Sequence, residues 1–72
     1  MMLRLYPVLR TVVVNLKSGT VFRGVVWRKR FGYLILRNAE MIHGKGERIP
    51  VDGEVLIERA NVDFIQVMQA VN

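Results

Sequence analysis

The sequence predicts an all-β fold, a small and strongly bent antiparallel barrel of five strands, with at most a short helix at the N-terminus. Three observations predict it. The runs rich in β-branched and aromatic residues are short, they alternate in polarity, and turn-forming residues interrupt them every eight to twelve residues or so. "TVVVNL" (Thr11–Leu16) opens the series; it is β-branched and too short for a helix, and it ends at the turn "KSGT", where Gly19 can supply a positive φ. "VFRGVVWR" (Val21–Arg28) places Phe22, Gly24 and Val26 on one face and Arg23 and Val25 on the other. Glycine inside such a strand marks a sharp bend or a close approach of backbone. "YLILRNAEMI" (Tyr33–Ile42) alternates Leu34 and Leu36 against Ile35 and Arg37, and "HGKGE" connects it to the next stretch. "RIPVDGEVLI" (Arg48–Ile57) is the fourth extended stretch; Pro50 puts its beginning at a sheet edge or outside the ladder, while Asp52-Gly53 is a hairpin signal in its own right, which leaves the start of this strand open. After the turn "ERAN", "VDFIQVM" (Val62–Met68) is the fifth strand. Helix is confined to a turn or two in "LRLYPVLR" around Pro7, and the chain has no internal repeat.

At 72 residues the chain is one domain, residues 1–72. A domain this small buries only about 60% of the surface its unfolded chain exposes. Disulfides and cysteine-based zinc sites are excluded because there is no cysteine, yet 51% of the residues are apolar. Self-association is the remaining way to cover them. The fifth strand makes the same point, with Val62, Phe64 and Met68 on one face and Ile65 and Val67 on the other. A strand apolar on both faces at the end of a small barrel is a hazard unless something pairs with it. A neighbouring copy adding its own strand, repeated head to tail, closes a homo-oligomeric ring; wrapping inside its own barrel is the alternative.

Charge is uneven. Residues 1–39 carry eight Lys or Arg and no acid, whereas residues 40–72 carry three against six carboxylates, for a net charge of +5. Positive excess of this kind suits a polyanion or pairing between the two halves. It concentrates in "WRKRFGYL" (Trp27–Leu34), where Arg28, Lys29 and Arg30 can neutralise phosphates and Phe31 and Tyr33 can stack bases. Trp27 is expected to serve packing. Arg59 and Asn61 are candidates for a second contact, with Glu58 beside them opposing phosphate. His43 has no companion ligand in sequence, and Gly44 and Gly46 around Lys45 open no helix, so neither a metal site nor a phosphate loop is supported. No nucleophile–base set emerges, since Ser18 lies in a turn far from His43. The expectation is a protein without catalysis, cofactor or metal. No apolar run reaches the roughly 20 residues of a membrane span, and Arg4 and Pro7 interrupt any leader-like segment; with no cysteine, a cytoplasmic setting is expected.

From Val12 to Val67 the order of features resembles the Sm and Sm-like family. "VVVNLKSGTVFRGVV" is similar to the opening of the family's first motif, with Leu16, Gly19 and Gly24 in its Leu-x-x-Gly and second-glycine places, and "LILRNAE" resembles its close. "GEVLIERANVDFIQV" resembles the second motif, which Gly53, Val55, Ile57, Asn61, Val62 and Ile65 fit without a gap. The resemblance implies a bent five-stranded barrel that forms a ring, of about five to seven subunits, through pairing of the fourth and fifth strands of neighbours. It also implies single-stranded RNA held near the central hole, on a stacking residue in the loop between strands two and three. The base-reading residues differ: Lys29 or Arg30 stands where the family has aspartate, Gly32-Tyr33 stands in place of Met-Asn, and Glu58-Arg59 replaces Arg-Gly. Phe31 falls near the stacking position. The function expected is therefore a ring binding single-stranded RNA with little base selectivity. A structural or protein-docking ring is the alternative, and a basic face for duplex DNA the third reading.

Overall fold

The computed structural model describes residues 9–68. The helix expected around Pro7 falls on residues outside that range. Among the described residues six strands follow in order: β1 (Thr11–Leu16), β2 (Val21–Arg30), β3 (Tyr33–His43), β4 (Glu47–Pro50), β5 (Val55–Glu58) and β6 (Val62–Val67), with a 3-10 turn, Arg59–Asn61, before the last. All pairings are antiparallel, in the order β4-β3-β2-β1-β6, and β5 pairs with the other end of β3. The expected fourth strand, Arg48–Ile57, is thus corrected to two pieces. β4 pairs with Glu40–His43 and β5 with Tyr33–Leu36, and Val51–Glu54 spans between them without ladder pairing. Neither local signal acts as read: Pro50 ends the edge strand β4 instead of opening a strand, and Asp52-Gly53 makes no hairpin because β4 and β5 both pair with β3, Gly53 taking φ +78° in the break between them.

The break is the outer trace of a bend that begins in β2 and β3. Their register shifts between Arg23 and Val25, opposite Asn38, whose φ of 53° bends β3 at its middle. A Cβ on Gly24 would stand 3.1 Å from the Arg37 carbonyl oxygen and 3.2 Å from Ala39 Cα and Cβ. A side chain there would have to displace Arg37 and Ala39, mainly their backbone, by a few tenths of an ångström, which favours glycine. Gly24→Val is expected to cost about 1–3 kcal/mol, the range for overpacking a filled site, read as a lower denaturant midpoint with an unchanged slope.

The bend folds the sheet over a core of Val12, Val14, Val26, Leu34, Leu36, Ala39 and Ile57, each at most 4% exposed. The alternation predicted for β2 and β3 is observed: Gly24, Val26, Leu34 and Leu36 face inward, and Ile35 and Arg37 outward. In β6 the simple alternation fails. Leu16 opposes Val62 and Asn15 opposes Phe64, so Asp63 is an extra residue in a bulge. It lets Val62 and Ile65 both pack against the core, which strict period-two spacing forbids. The sheet does not close on itself among the described residues: β6 pairs with β1, and β5 with β3. Both ends of the sheet are therefore edges, and they carry Leu56 (58% exposed) and Phe64 (52%).

Candidate nucleic-acid interface

The basic run extends β2 to its last residue. Arg30 pairs with Tyr33, which leaves Phe31 and Gly32 as the two central residues of a tight hairpin turn. Both have positive φ, 49° and 78°, the geometry of a type I′ turn. Glycine meets this demand at no cost. Phenylalanine does not, since a left-handed non-glycine residue costs about 1–3 kcal/mol. The ring is also 87% exposed, so its burial does not repay the strain. The Arg30 guanidinium lies 5.3 Å from its centroid, a cation–π contact that stiffens the tip.

Register sorts the three cations. Trp27 is the extra residue of a second shift in the β2–β3 pairing, after which Arg28 opposes Ile35, Lys29 opposes Leu34 and Arg30 opposes Tyr33. Cross-strand partners share a face. Arg28 and Arg30 therefore stand on the outer face with Ile35 and Tyr33, and Lys29 stands on the core-facing side at the barrel's end. The run expected to act as one surface is divided between two.

The tip meets the 3-10 turn. The Arg59 amide donates to the Gly32 carbonyl at 2.8 Å, and Tyr33 opposes Glu58. Tyr33, Glu58 and Asn61 line one cleft of about 240 Å³ with Leu16 and Phe22. Phe31, Tyr33, Arg59 and Asn61, separated by some thirty positions in sequence, are thus brought into one neighbourhood. The carboxylate of Glu58 stands within it, as its place in the sequence suggested. Arg28 lies two residues back from the tip, beside different neighbours.

Those neighbours were missed by reasoning from the sequence. Trp27 does not belong to the core; it is half-buried on the outer face, with the Arg37 guanidinium 3.8 Å from its ring centroid. Arg37 Nε donates to Glu54 Oε2 at 2.9 Å. Arg28, Arg30 and Ile35 complete the surround of a cleft of about 300 Å³. The alternation of β3 put Arg37 outward, but only the shift at Trp27 brings the indole beneath it. Elsewhere Glu40 lies between Arg23 and Arg48 at 3.8 and 3.9 Å, a surface network of opposite charges. Among the described residues no group of three or more His, Cys, Asp or Glu side chains gathers, and no helix is long and apolar enough to cross a membrane.

A bent, open antiparallel sheet whose two edges are unpaired among the described residues, with a basic, aromatic hairpin, defines the class of small β folds whose working surface lies on loops and edges. Solved structures place it more narrowly. An archaeal Sm protein that forms heptamers superposes with TM-score 0.76 at 25% identity, over 86% of this chain and 90% of that one. The SmAP1 heptamer of P. aerophilum gives TM-score 0.77 at 25% identity, over 88% and 84%. The Sm protein of Pyrococcus abyssii, solved in complex with a uridine heptamer, gives TM-score 0.74 at 32% identity, over 85% and 86%. The chain belongs to the Sm and Sm-like family. No family model matches the sequence, and no curated protein matches it.

Proposed function

We propose that this protein assembles head to tail into a closed ring and binds single-stranded RNA, with little selectivity among bases, through the β2–β3 tip. One observation carries the RNA reading: Phe31 is held in a strained left-handed conformation, almost fully exposed, with Arg30 stacked against it. Strain kept at an exposed aromatic, where neither packing nor turn chemistry asks for that residue, is the mark of a surface maintained for a ligand. Tyr33, Arg59 and Asn61 stand close by to extend the contact, and Arg28 and Lys29 contribute charge. The heptameric archaeal Sm proteins and the uridine-bound Pyrococcus protein support both halves of the reading. Little base selectivity follows from the residues that differ: Lys29 or Arg30 for aspartate, and Gly32-Tyr33 for Met-Asn. A non-catalytic role and a cytoplasmic setting complete the proposal.

The test is fluorescence anisotropy with labelled oligo-U, oligo-A and oligo-C at two salt concentrations. Comparable affinities for the three, falling steeply with salt, are expected. Phe31→Asn is the informative variant, because it creates the Asn-Gly pair that a type I′ turn favours. It is expected to leave the fold as stable or up to about 1 kcal/mol more stable, and to weaken RNA binding about tenfold. A variant that is more stable and binds equally well defeats the stacking role of Phe31. Strong preference for one base defeats the selectivity claim. Absence of binding at low salt leaves a protein-docking ring, and preference for duplex favours the DNA reading.

A further inference from the structure

The edge of the sheet beyond β3 is made of two pieces, β4 and β5. The ring proposed above uses β5 and leaves β4 over. We propose that Pro50 keeps this second piece closed: it stops the free side of β4 from pairing with β4 of a second copy, so that assembly ends at the ring. The inference goes beyond the ring reading and needs it only for the number of such edges that one particle carries.

The ladder shows which way each residue of β4 points its backbone groups. In an antiparallel pair, directly opposed residues alternate between those that exchange N–H and C=O bonds and those that exchange none. The Val51 amide donates to the Ala39 carbonyl at 2.9 Å, one step beyond the pairing of Glu40 with Pro50. Counting back by twos, Ile49 and Glu47 bond to Met41 and His43, while Pro50 and Arg48 turn their polar groups away from β3. Among the described residues β4 has no second neighbour, and all four of its residues are exposed. A strand added there would bond to positions 48 and 50 alone. In a two-fold pairing of β4 with β4, Arg48 of each copy faces Pro50 of the other as a bonded pair. Proline supplies no N–H, so half of those bonds are lost, and its ring stands where the incoming carbonyl must come. In the same pairing Ile49, 39% exposed, meets Ile49 of the second copy, so the edge has an apolar attraction to be held off. Proline at Ile49 or Val51 would break the ladder to β3. At position 50 it breaks no ladder bond and removes a donor from the free side alone. Arg48, the other outward residue, carries a charge on a side chain 56% exposed, a second obstacle to strand addition.

Pro50→Thr restores the N–H with a residue suited to strands. It is made in the wild type and in a protein carrying Leu56→Asp and Phe64→Asp, which place charge on the two edges that the ring would join. Each pair is compared by sedimentation velocity at rising micromolar concentration, with circular dichroism as the check on the fold. In the doubly substituted background Pro50→Thr is expected to about double the mass, as a two-fold pair. In the wild type it is expected to give larger assemblies that grow with concentration. Arg48→Pro added to Pro50→Thr moves the block to the other outward position and is expected to restore the original mass in both. Hydrogen exchange of the unsubstituted protein needs no variant: the Ile49 and Val51 amides are expected to be protected and the Arg48 amide to exchange fast. A folded Pro50→Thr protein of unchanged mass in both backgrounds overturns the proposal. So does association that persists with Arg48→Pro, or an Arg48 amide as slow as those of its neighbours. Each comparison reads the difference made at position 50 within one background. A wild type found as single subunits therefore removes the ring, and the same comparison still decides the edge.

Discussion

Leu36→Ala is expected to destabilise the protein by roughly 2–5 kcal/mol, the largest single effect among its hydrophobic positions. Leu36 is 0% exposed and sits where the fold is most closely determined: Val26 opposes it on β2 and Val55 on β5. Truncation removes the packing partner of two strands at once. The surrounding backbone cannot collapse into the gap, because β3 is held on both sides by ladder hydrogen bonds. For a 72-residue domain the loss is comparable with the whole stability of many domains, about 5–15 kcal/mol. The measurement is chemical denaturation of wild type and variant, with Leu56→Ala, exposed on the same sheet, as the control. A cost for Leu36→Ala below about 1 kcal/mol contradicts the core assignment. The proposed assembly would add to apparent stability by mass action, so the comparison is made at several protein concentrations.

The second large effect concerns the edges. Paired Leu56→Asp and Phe64→Asp substitutions are expected to convert the proposed ring into single subunits, read by sedimentation at micromolar concentration. Leu56 stands on β5 and Phe64 on β6, one at each open end of the sheet, and both side chains are more than half exposed. In a head-to-tail contact β5 of one copy lies beside β6 of the next, so two carboxylates would enter a surface that was apolar on both sides. Burying unpaired charge costs several kcal/mol, and every interface carries the penalty. Neither residue belongs to the core, so the single subunit is expected to retain its fold. A wild-type protein that sediments as a folded single subunit defeats the ring, as does a doubly substituted protein that still assembles.

The strands were legible because their chemistry is local. Alternation in Leu34–Arg37 and the turn at Gly19, where φ is +95°, depend on a handful of neighbouring residues. The bend at Gly24 was legible for the same reason, as glycine in a strand has few other meanings. What escaped is everything that register shifts decide. The interruption at Val51–Glu54 follows from the bend in β3 at Asn38, twelve or more positions earlier. The inward turn of both Val62 and Ile65 follows from a bulge at Asp63 that no local pattern announces. At the candidate site the chain's own order showed Arg28 to Tyr33 as a cluster, and the structure joins Arg59 and Asn61 to the aromatic end of it through the Gly32–Arg59 hydrogen bond. The division of the cations between two faces, and the pairing of Trp27 with Arg37, required the shift at Trp27 to be known.

The shortness and curvature of the open strands have a bearing on the chain as a single subunit. β5 offers four residues and β6 six, the latter twisted by a bulge. Fibrils grow on long, flat templates that repeat without limit. A newly made copy presents nothing of that kind; only a surface with the same curvature can add to it. The irregularities that complicate the sheet thus act as a safeguard, steering exposed apolar edges away from amyloid-like stacking.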